Sequence, residues 1–271
     1  MRGSTGMRIE FGGTELFAQL QPLWEALFDH HHSVGAAGLA EIPREESWPL
    51  RRAHYDRLFS EHTWAGVWLV RDESGDRPIG YALAWETELD FRRALVIETL
   101  SLLPEARGSG IGGELMRLAE AAGVARGAEL GVIDVMGGNP RARELYLRSG
   151  YVPYSETWMR SQRPPGSGGL RILDPSLVKL AGEHGFELEF LAGPDDSWVS
   201  SDRLALLTPL DAERERPEEE LALLFTALES SGLWTILIEI PMPPRAQPLR
   251  DALTADDFRL SLERVVKELD G

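Results

Sequence analysis

The 271-residue chain has no cysteine, which excludes disulfides, thiolate metal sites and a covalent acyl-cysteine intermediate. Lysine is almost as scarce: residues 1–163 hold 18 arginines and not one lysine, so no phosphate loop ending in lysine can be built there. No run of about 18 apolar residues occurs, so no helix of this sequence is expected to span a membrane. The first six residues, MRGSTG, lack the apolar stretch of a secretory signal and read as an added remnant ahead of Met7. The cytoplasm is the expected compartment. Histidine is sparse as well. Three of the six are His30, His31 and His32, which on a helix point three different ways, and no metal site is expected from them.

Positive charge is in deficit throughout. The net charge is −16, of which residues 1–163 carry −5 and residues 164–271 carry −11. Such a chain repels a nucleic-acid backbone, so DNA and RNA are not expected partners, whereas a cationic substrate is compatible.

What is present divides in two. Pro164–Gly169 (PPGSGG) reads as a linker between a domain at 7–163 and a smaller α/β or α+β domain at 170–271. The first part opens with a strand at Met7–Phe11. A helix follows, capped by Thr14 and carrying Leu16, Phe17, Leu20, Leu23, Trp24, Leu27 and Phe28 at close to helical spacing. A second helix is placed over Ser47–Phe59, with Pro49 in its first turn. Strands are predicted at Ala65–Arg71 and Pro78–Trp85, joined as a hairpin, and at Ala94–Leu103. Then come a glycine-rich loop, a helix over Ile111–Ala125, a strand at Leu130–Met136, a helix at Arg141–Ser149 and a strand from Tyr151. The implied architecture is a mixed, mostly antiparallel sheet flanked by helices. In the second part, a helix from Asp174-Pro175 to near Gly185 precedes strands at Phe186–Leu191 and Leu204–Thr208. A helix opened by Pro217, a buried strand at Leu233–Ile240 and a final helix from Thr254 through Leu269 complete it. The acidic run Asp211–Glu220 suits a solvated helix start. No internal repeat is visible.

The stretch that carries most information is Pro104–Gly113, PEARGSGIGG, between a strand and a helix. Glycine costs entropy and buries nothing, so four glycines here make sense if main chain must approach a ligand closely. A loop entering a helix presents unpaired N–H groups and the positive end of the helix dipole, which suits phosphate, and Arg107 adds a charged fork. Gly108, Gly110 and Gly113 also fit a dinucleotide fingerprint, with Glu129 and Asp134 near its acidic position. Against that, Pro104–Arg107 separate the strand from the first glycine, and only one strand-helix-strand unit is apparent.

A third reading accounts for the neighbours too. Arg107-Gly108-Ser109-Gly110-Ile111-Gly112 resembles the pyrophosphate loop of the GNAT acetyltransferases. Ile97–Glu105 is similar to the strand before it, and Gly138-Asn139-Pro140 through Gly150-Tyr151 to the family's asparagine-to-tyrosine helix and closing glycine-aromatic pair. The resemblance covers about residues 7–160. It implies an N-acetyltransferase that uses acetyl-CoA and no metal, acting on a small-molecule or peptide amine by direct attack. An acyl-CoA-binding sensor or scaffold without turnover is the alternative, and a homodimer is compatible with either.

The resemblance also implies roles. Arg107, Gly108, Ser109, Gly110, Ile111, Gly112 and Gly113 would hold the coenzyme diphosphate, and main chain at Leu100 and Leu102 would pair with the pantetheine arm, their side chains being ordinary core leucines. Asn139 would contact the cofactor arm or simply cap a helix. Tyr146 would donate to the leaving sulfur or pack at the sheet edge. Glu98, a carboxylate in an apolar strand, is the first choice for the general base, directly or through water, and otherwise an ion-pair residue. The first two helices would form the acceptor site, with the His30–His32 cluster as a base, a substrate contact or a helix terminus. Trp24, Trp48, Tyr55 and Trp85 would line that site or pack the core.

Overall fold

The computed structural model describes residues 8–34, 42–161, 175–192, 203–216, 218–242 and 246–270. The proposed linker at 164–169, and Met7 and Asp174, lie outside them. Strand β1 (Arg8–Gly12) leads through a 3-10 turn into α1 (Gln21–Val34) and α2 (Arg44–Glu61). Next come β2 (Ala65–Arg71), β3 (Pro78–Leu89), β4 (Arg92–Leu102), α3 (Ile111–Val124), β5 (Leu130–Met136), α4 (Pro140–Arg148) and β6 (Val152–Ser161). The remainder is α5 (Ser176–Glu183), β7 (Phe186–Ala192), β8 (Arg203–Pro209), α6 (Glu218–Ser230), β9 (Thr235–Pro241), α7 (Gln247–Ala255) and β10 (Arg259–Glu268). The strands form one sheet in the order β1-β2-β3-β4-β5-β10-β6-β9-β8-β7. It is continuous from the first part of the chain into the second.

Alternation along β2 and β3 sorts the core. Val67, Leu69, Tyr81 and Leu83 face Phe17, Leu20, Leu23, Tyr55 and Leu58, the apolar stripe of α1, α2 and the turn before them. Val70, Ala82, Ala84, Leu95 and Ile97 face Ile111, Leu115, Met116 and Ala119 of α3. In the second part, Leu221, Leu224, Phe225 and Leu228 of α6 bury against Leu207, Ile236, Ile238 and Ile240.

Thr14 lies inside the 3-10 turn, with no side-chain cap there, and Pro49 lies inside α2 rather than in its first turn, because that helix starts earlier, at Arg44. One expected element is wrong. The final helix from Thr254 through Leu269 does not exist: α7 ends at Ala255, with the Thr254 hydroxyl donating to Arg250 O inside it, and residues 259–268 form β10. Leu260, Leu262, Val265, Val266 and Leu269 fit a helical spacing, but tertiary context overrides that pattern. β10 fills a slot between β5 and β6, antiparallel to both, from Leu262↔Met136 to Glu268↔Leu130 on one side and Arg259↔Met159 to Val266↔Val152 on the other. Both edges of its backbone are thereby paired, and Val265 is fully buried.

The topology also repeats where the sequence does not. β4-α3-β5-α4-β6 and β8-α6-β9-α7-β10 are the same succession, each beginning with a parallel strand pair. The third strand of each unit crosses into the other: β10 pairs β5, and β6 pairs β9. Details repeat with it. Arg143 on α4 bonds Glu263 on β10 at 2.7 Å, and Arg250 on α7 bonds Glu156 on β6 at 2.6 Å. Gly150 and Asp257, each two residues past its helix, both have positive φ, 92° and 61°. Glu156 and Glu263 are direct cross-strand neighbours, so the approximate two-fold axis passes between them.

No helix among the described residues is long and apolar enough to cross a membrane. No group of three or more His, Asp or Glu among them is placed to hold a metal ion.

Candidate active site

Strands β4 and β5 are parallel neighbours only at Ala94↔Leu130, Leu95↔Gly131 and Val96↔Val132. Beyond this they part, because β4 stays with β3 as far as Leu102 while β5 stays with β10 as far as Met136. The result is a wedge whose walls carry main-chain groups. Leu103 N–H donates to Ile79 O at 2.9 Å, and ladder groups alternate in direction along a strand, so Leu100 and Leu102 turn theirs into the wedge. The Leu102 carbonyl is already taken by Arg107 Nε at 3.0 Å, which leaves its amide for another partner. The side chains of both leucines pack against the core, as ordinary core leucines would.

The glycine loop closes the wide end of the wedge. A short 3-10 turn, Pro104–Ala106, leads to Gly108 and Gly110, both with positive φ (79° and 90°), a conformation that favours glycine. A Cβ added at Gly108, Gly110 or Gly113 would meet nothing within 4 Å, so these positions border open space. Gly112 differs: its Cβ would lie 3.4 Å from Leu145 Cδ2, which makes it a packing glycine between α3 and α4. The Ser109 hydroxyl donates to Ala106 O at 2.7 Å and ties the loop to its own base. Glu114 N–H donates to Gly110 O, so α3 begins at Ile111, and the N–H groups of Ile111, Gly112 and Gly113 precede its first intrahelical bond. The Ile111 side chain itself is buried.

Cationic groups gather here in an otherwise acidic protein. Burial, then the charge of Arg141, holds the Arg107 guanidinium below its usual pKa. His30 is lowered by burial and by Arg107 and Arg141. Together with the open amides, this makes an anion cradle.

Tyr146, on α4, is 7% exposed and belongs to the α3-side core, its ring 6.4 Å from that of Tyr151. Burial raises its pKa to about 12, and among the described residues no hydrogen bond engages its hydroxyl. Asn139 caps α4, its Oδ1 accepting the Ala142 N–H at 3.2 Å.

Glu98 occupies a β-bulge. Leu83 pairs with Thr99 and Ala84 with Ile97, so Glu98 is the extra residue, two residues past the last β4–β5 pair. The bulge turns two successive side chains toward α2. Thr99 Oγ1 lies 2.6 Å from Tyr55 Oη. The Glu98 carboxylate takes Arg51 Nη1 at 2.8 Å, His54 Nε2 at 2.9 Å and Trp85 Nε1 at 3.1 Å. Burial alone would raise its pKa, but the His54 bond and the Arg51 charge outweigh it and hold the carboxyl well below the usual range. Of the two roles read from the sequence, the ion pair is visible and the carboxylate is a weak proton acceptor.

Residues 24–151 match the Acetyltransferase (GNAT) family. The chain carries an N-acetyltransferase domain of the GNAT superfamily. That family transfers acetyl groups from acetyl-CoA. Among solved structures, a GCN5-related N-acetyltransferase from Sphaerobacter thermophilus aligns with 99% of this chain and 97% of its own, at 13% identity and TM-score 0.57. A tandem GNAT protein from the clavulanic acid biosynthesis pathway aligns over 98% and 99%, at 13% identity and TM-score 0.53. A GCN5-related glucosamine N-acetyltransferase region in a fungal multi-domain GH3 β-N-acetylglucosaminidase aligns with 98% of this chain but only 38% of its own, at 12% identity and TM-score 0.59. These likenesses are of fold. A comparison with curated proteins found no match.

Other expected residues of the acetyltransferase domain fall unevenly around the wedge. Trp24 and Tyr55 are buried in the core: Trp24 Nε1 donates to Ser47 Oγ, and both rings carry the Arg51 guanidinium, at 4.2 and 5.5 Å. Trp48 packs beside them. Trp85 reaches Glu98, and the His62 ring lies tilted against it, with centroids 4.1 Å apart. The histidine triplet ends α1: His31 is pushed down to about 3 by burial, and His32 Nδ1 lies 2.9 Å from Phe28 O. The sequence reading missed Arg51 and His54. Their three-residue spacing puts them on one face of α2, and asking what neutralises a carboxylate in an apolar strand would have found them.

Proposed function

We propose that this chain transfers the acetyl group of acetyl-CoA to a primary amine of a small molecule or peptide by direct attack. The observation that carries the proposal is the wedge between β4 and β5 with an open glycine cradle at its mouth. Main-chain N–H groups from Gly108 to Gly113, with Arg107, would hold the diphosphate, and the amides of Leu100 and Leu102 would pair with the pantetheine arm, Asn139 standing beside it. The amine nitrogen attacks the thioester carbon, a C–N bond forms and the C–S bond breaks. Tyr146 faces the departing sulfur. With its pKa raised by burial, its hydroxyl stabilises the thiolate chiefly as a hydrogen-bond donor.

The alternative, a sensor that binds acyl-CoA without turnover, has no use for a tyrosine hydroxyl that no hydrogen bond engages among the described residues, and this favours the enzyme. The deciding experiment is thiol release from acetyl-CoA across polyamines, aminoglycosides, amino acids and peptides. Turnover with none of them, alongside binding of acetyl-CoA by calorimetry, would leave the sensor reading in place.

Among the described residues, the second unit carries none of this chemistry. Where the first has glycines at the start of its helix, α6 carries Glu219 and Glu220 in its first turn, which repel phosphate. Leu253 stands at the place of Tyr146 and Ala246 at that of Asn139. We therefore assign the second unit a structural role, lending β10 to the sheet wall of the working site. The chain supplies from within itself a neighbour of the kind a second copy could provide.

A further inference from the structure

We propose that His54 is the proton acceptor for the attacking amine and that Glu98 is its positioning residue. This rests on the acetyl-transfer reading above. A primary amine is an ammonium near neutrality, so a base must take one proton before nitrogen can attack. Glu98 is poorly suited, since its carboxylate accepts from three donors. Two of these, the Arg51 guanidinium and the Trp85 indole, do not give up a proton in this range. The third, His54, can.

The geometry has the form of a carboxylate–imidazole pair. Glu98 Oε1 lies 2.9 Å from His54 Nε2 and holds the proton on that nitrogen, which makes Nδ1 the basic one. Arg57 Nη2 approaches Nδ1 at 3.5 Å, a donor that also keeps Nδ1 unprotonated. Arg51 locks the far side of the pair, bonded to the same carboxylate oxygen and stacked on Trp24. The His54 side chain is 17% exposed and Glu98 14%, so the pair is sheltered yet reachable. Its position follows from the bulge. Glu98 lies two residues past the last β4–β5 pair, at the narrow end of the wedge opposite the glycine cradle. A thioester anchored at the cradle and laid along Leu100 and Leu102 would end there.

The charged groups around His54 include Arg51 and Arg57 on its own helix and Glu98 on β4, with Tyr55 beside its ring and Trp85 on the same carboxylate. The step balances. One ammonium proton passes to His54 Nδ1 and on to solvent, nitrogen attacks, the C–S bond breaks, and the second proton lost as the amide forms balances the one that converts thiolate to thiol.

The test combines kinetics with spectroscopy. His54→Ala should lower kcat about 100-fold while leaving acetyl-CoA affinity unchanged by calorimetry, and added imidazole should restore part of the rate. Glu98→Gln should move the acidic limb of the kcat/KM profile to lower pH, because removing the carboxylate weakens the imidazolium. An undiminished rate, or the same acidic limb in His54→Ala, would overturn the assignment. Nitrogen NMR of the wild-type chain decides the tautomer independently of turnover: an unprotonated Nδ1 supports the pair, and a proton on Nδ1 overturns it. Wild-type silence toward every amine would instead defeat the acetyl-transfer reading, which separates the two failures.

Discussion

Alanine at three glycines separates strain from coenzyme binding. Gly110 and Gly75 both have positive φ, 90° and 80°, and an added Cβ meets nothing within 4 Å at either, but Gly75 lies in the β2–β3 turn. An L-residue there costs about 1–2 kcal/mol, so Gly110→Ala and Gly75→Ala should each lower Tm by on the order of 4 °C. Of these two, only Gly110→Ala places a methyl in the cradle, where even a tenfold weakening of acetyl-CoA costs about 1.4 kcal/mol. Gly113 completes the set. It borders the same open space without positive φ, inside the first turn of α3. Gly113→Ala should therefore hold or raise Tm, since alanine exceeds glycine by up to about 1 kcal/mol in a helix, while still weakening acetyl-CoA at least tenfold. Thermal unfolding and calorimetry on the three variants measure both quantities. Acetyl-CoA binding unchanged in Gly110→Ala and Gly113→Ala would refute the cradle.

Tyr146→Phe should cut kcat about tenfold or more and leave acetyl-CoA affinity alone; an unchanged rate would remove the hydroxyl from the reaction. Calorimetry should find one acetyl-CoA per chain, and two would show that the second unit binds as well. Arg143→Leu strips the partner from Glu263, which is 6% exposed and whose Oε1 already lacks a hydrogen bond, so stability should fall by about 2–3 kcal/mol in denaturant unfolding. His31 has a folded pKa of about 3 against about 6.5 unfolded, so the unfolded chain takes up a proton that the folded one excludes. Its contribution is intact above pH ~6.5 and shrinks by about 1.4 kcal/mol per unit as pH falls toward 3. Tm measured from pH 7 to 5 should fall less steeply in His31→Phe, and equal slopes would contradict the assignment.

How much was legible from the residues varies with the range of the forces involved. The loop at Arg107–Gly113, the strand at Leu130–Met136 and the helix holding Asn139 and Tyr146 stand where local spacing puts them, because glycine freedom, apolar alternation and helix capping act within a few residues. Glu98 stood out as a carboxylate in an apolar strand, but its partners did not, since Arg51 and His54 lie more than forty positions away in the chain. The bulge that aims it exists only as a mismatch between β3 and β4.

β10 shows the same limit most sharply. Its apolar residues suit a helix as well as a strand, and what decided was a slot with unpaired backbone on both sides, formed by β5 and β6 from the other half of the chain. The repeat of the two units was hidden for a related reason: burial constrains only where apolar side chains fall, so Leu253 can replace Tyr146 and acids can replace glycines while the topology persists. The sequence by itself determined the glycine loop, because a bare main chain ahead of a helix is a local property. Tertiary structure decided which side chains surround Glu98 and which strands line the wedge, because those depend on pairings between distant segments.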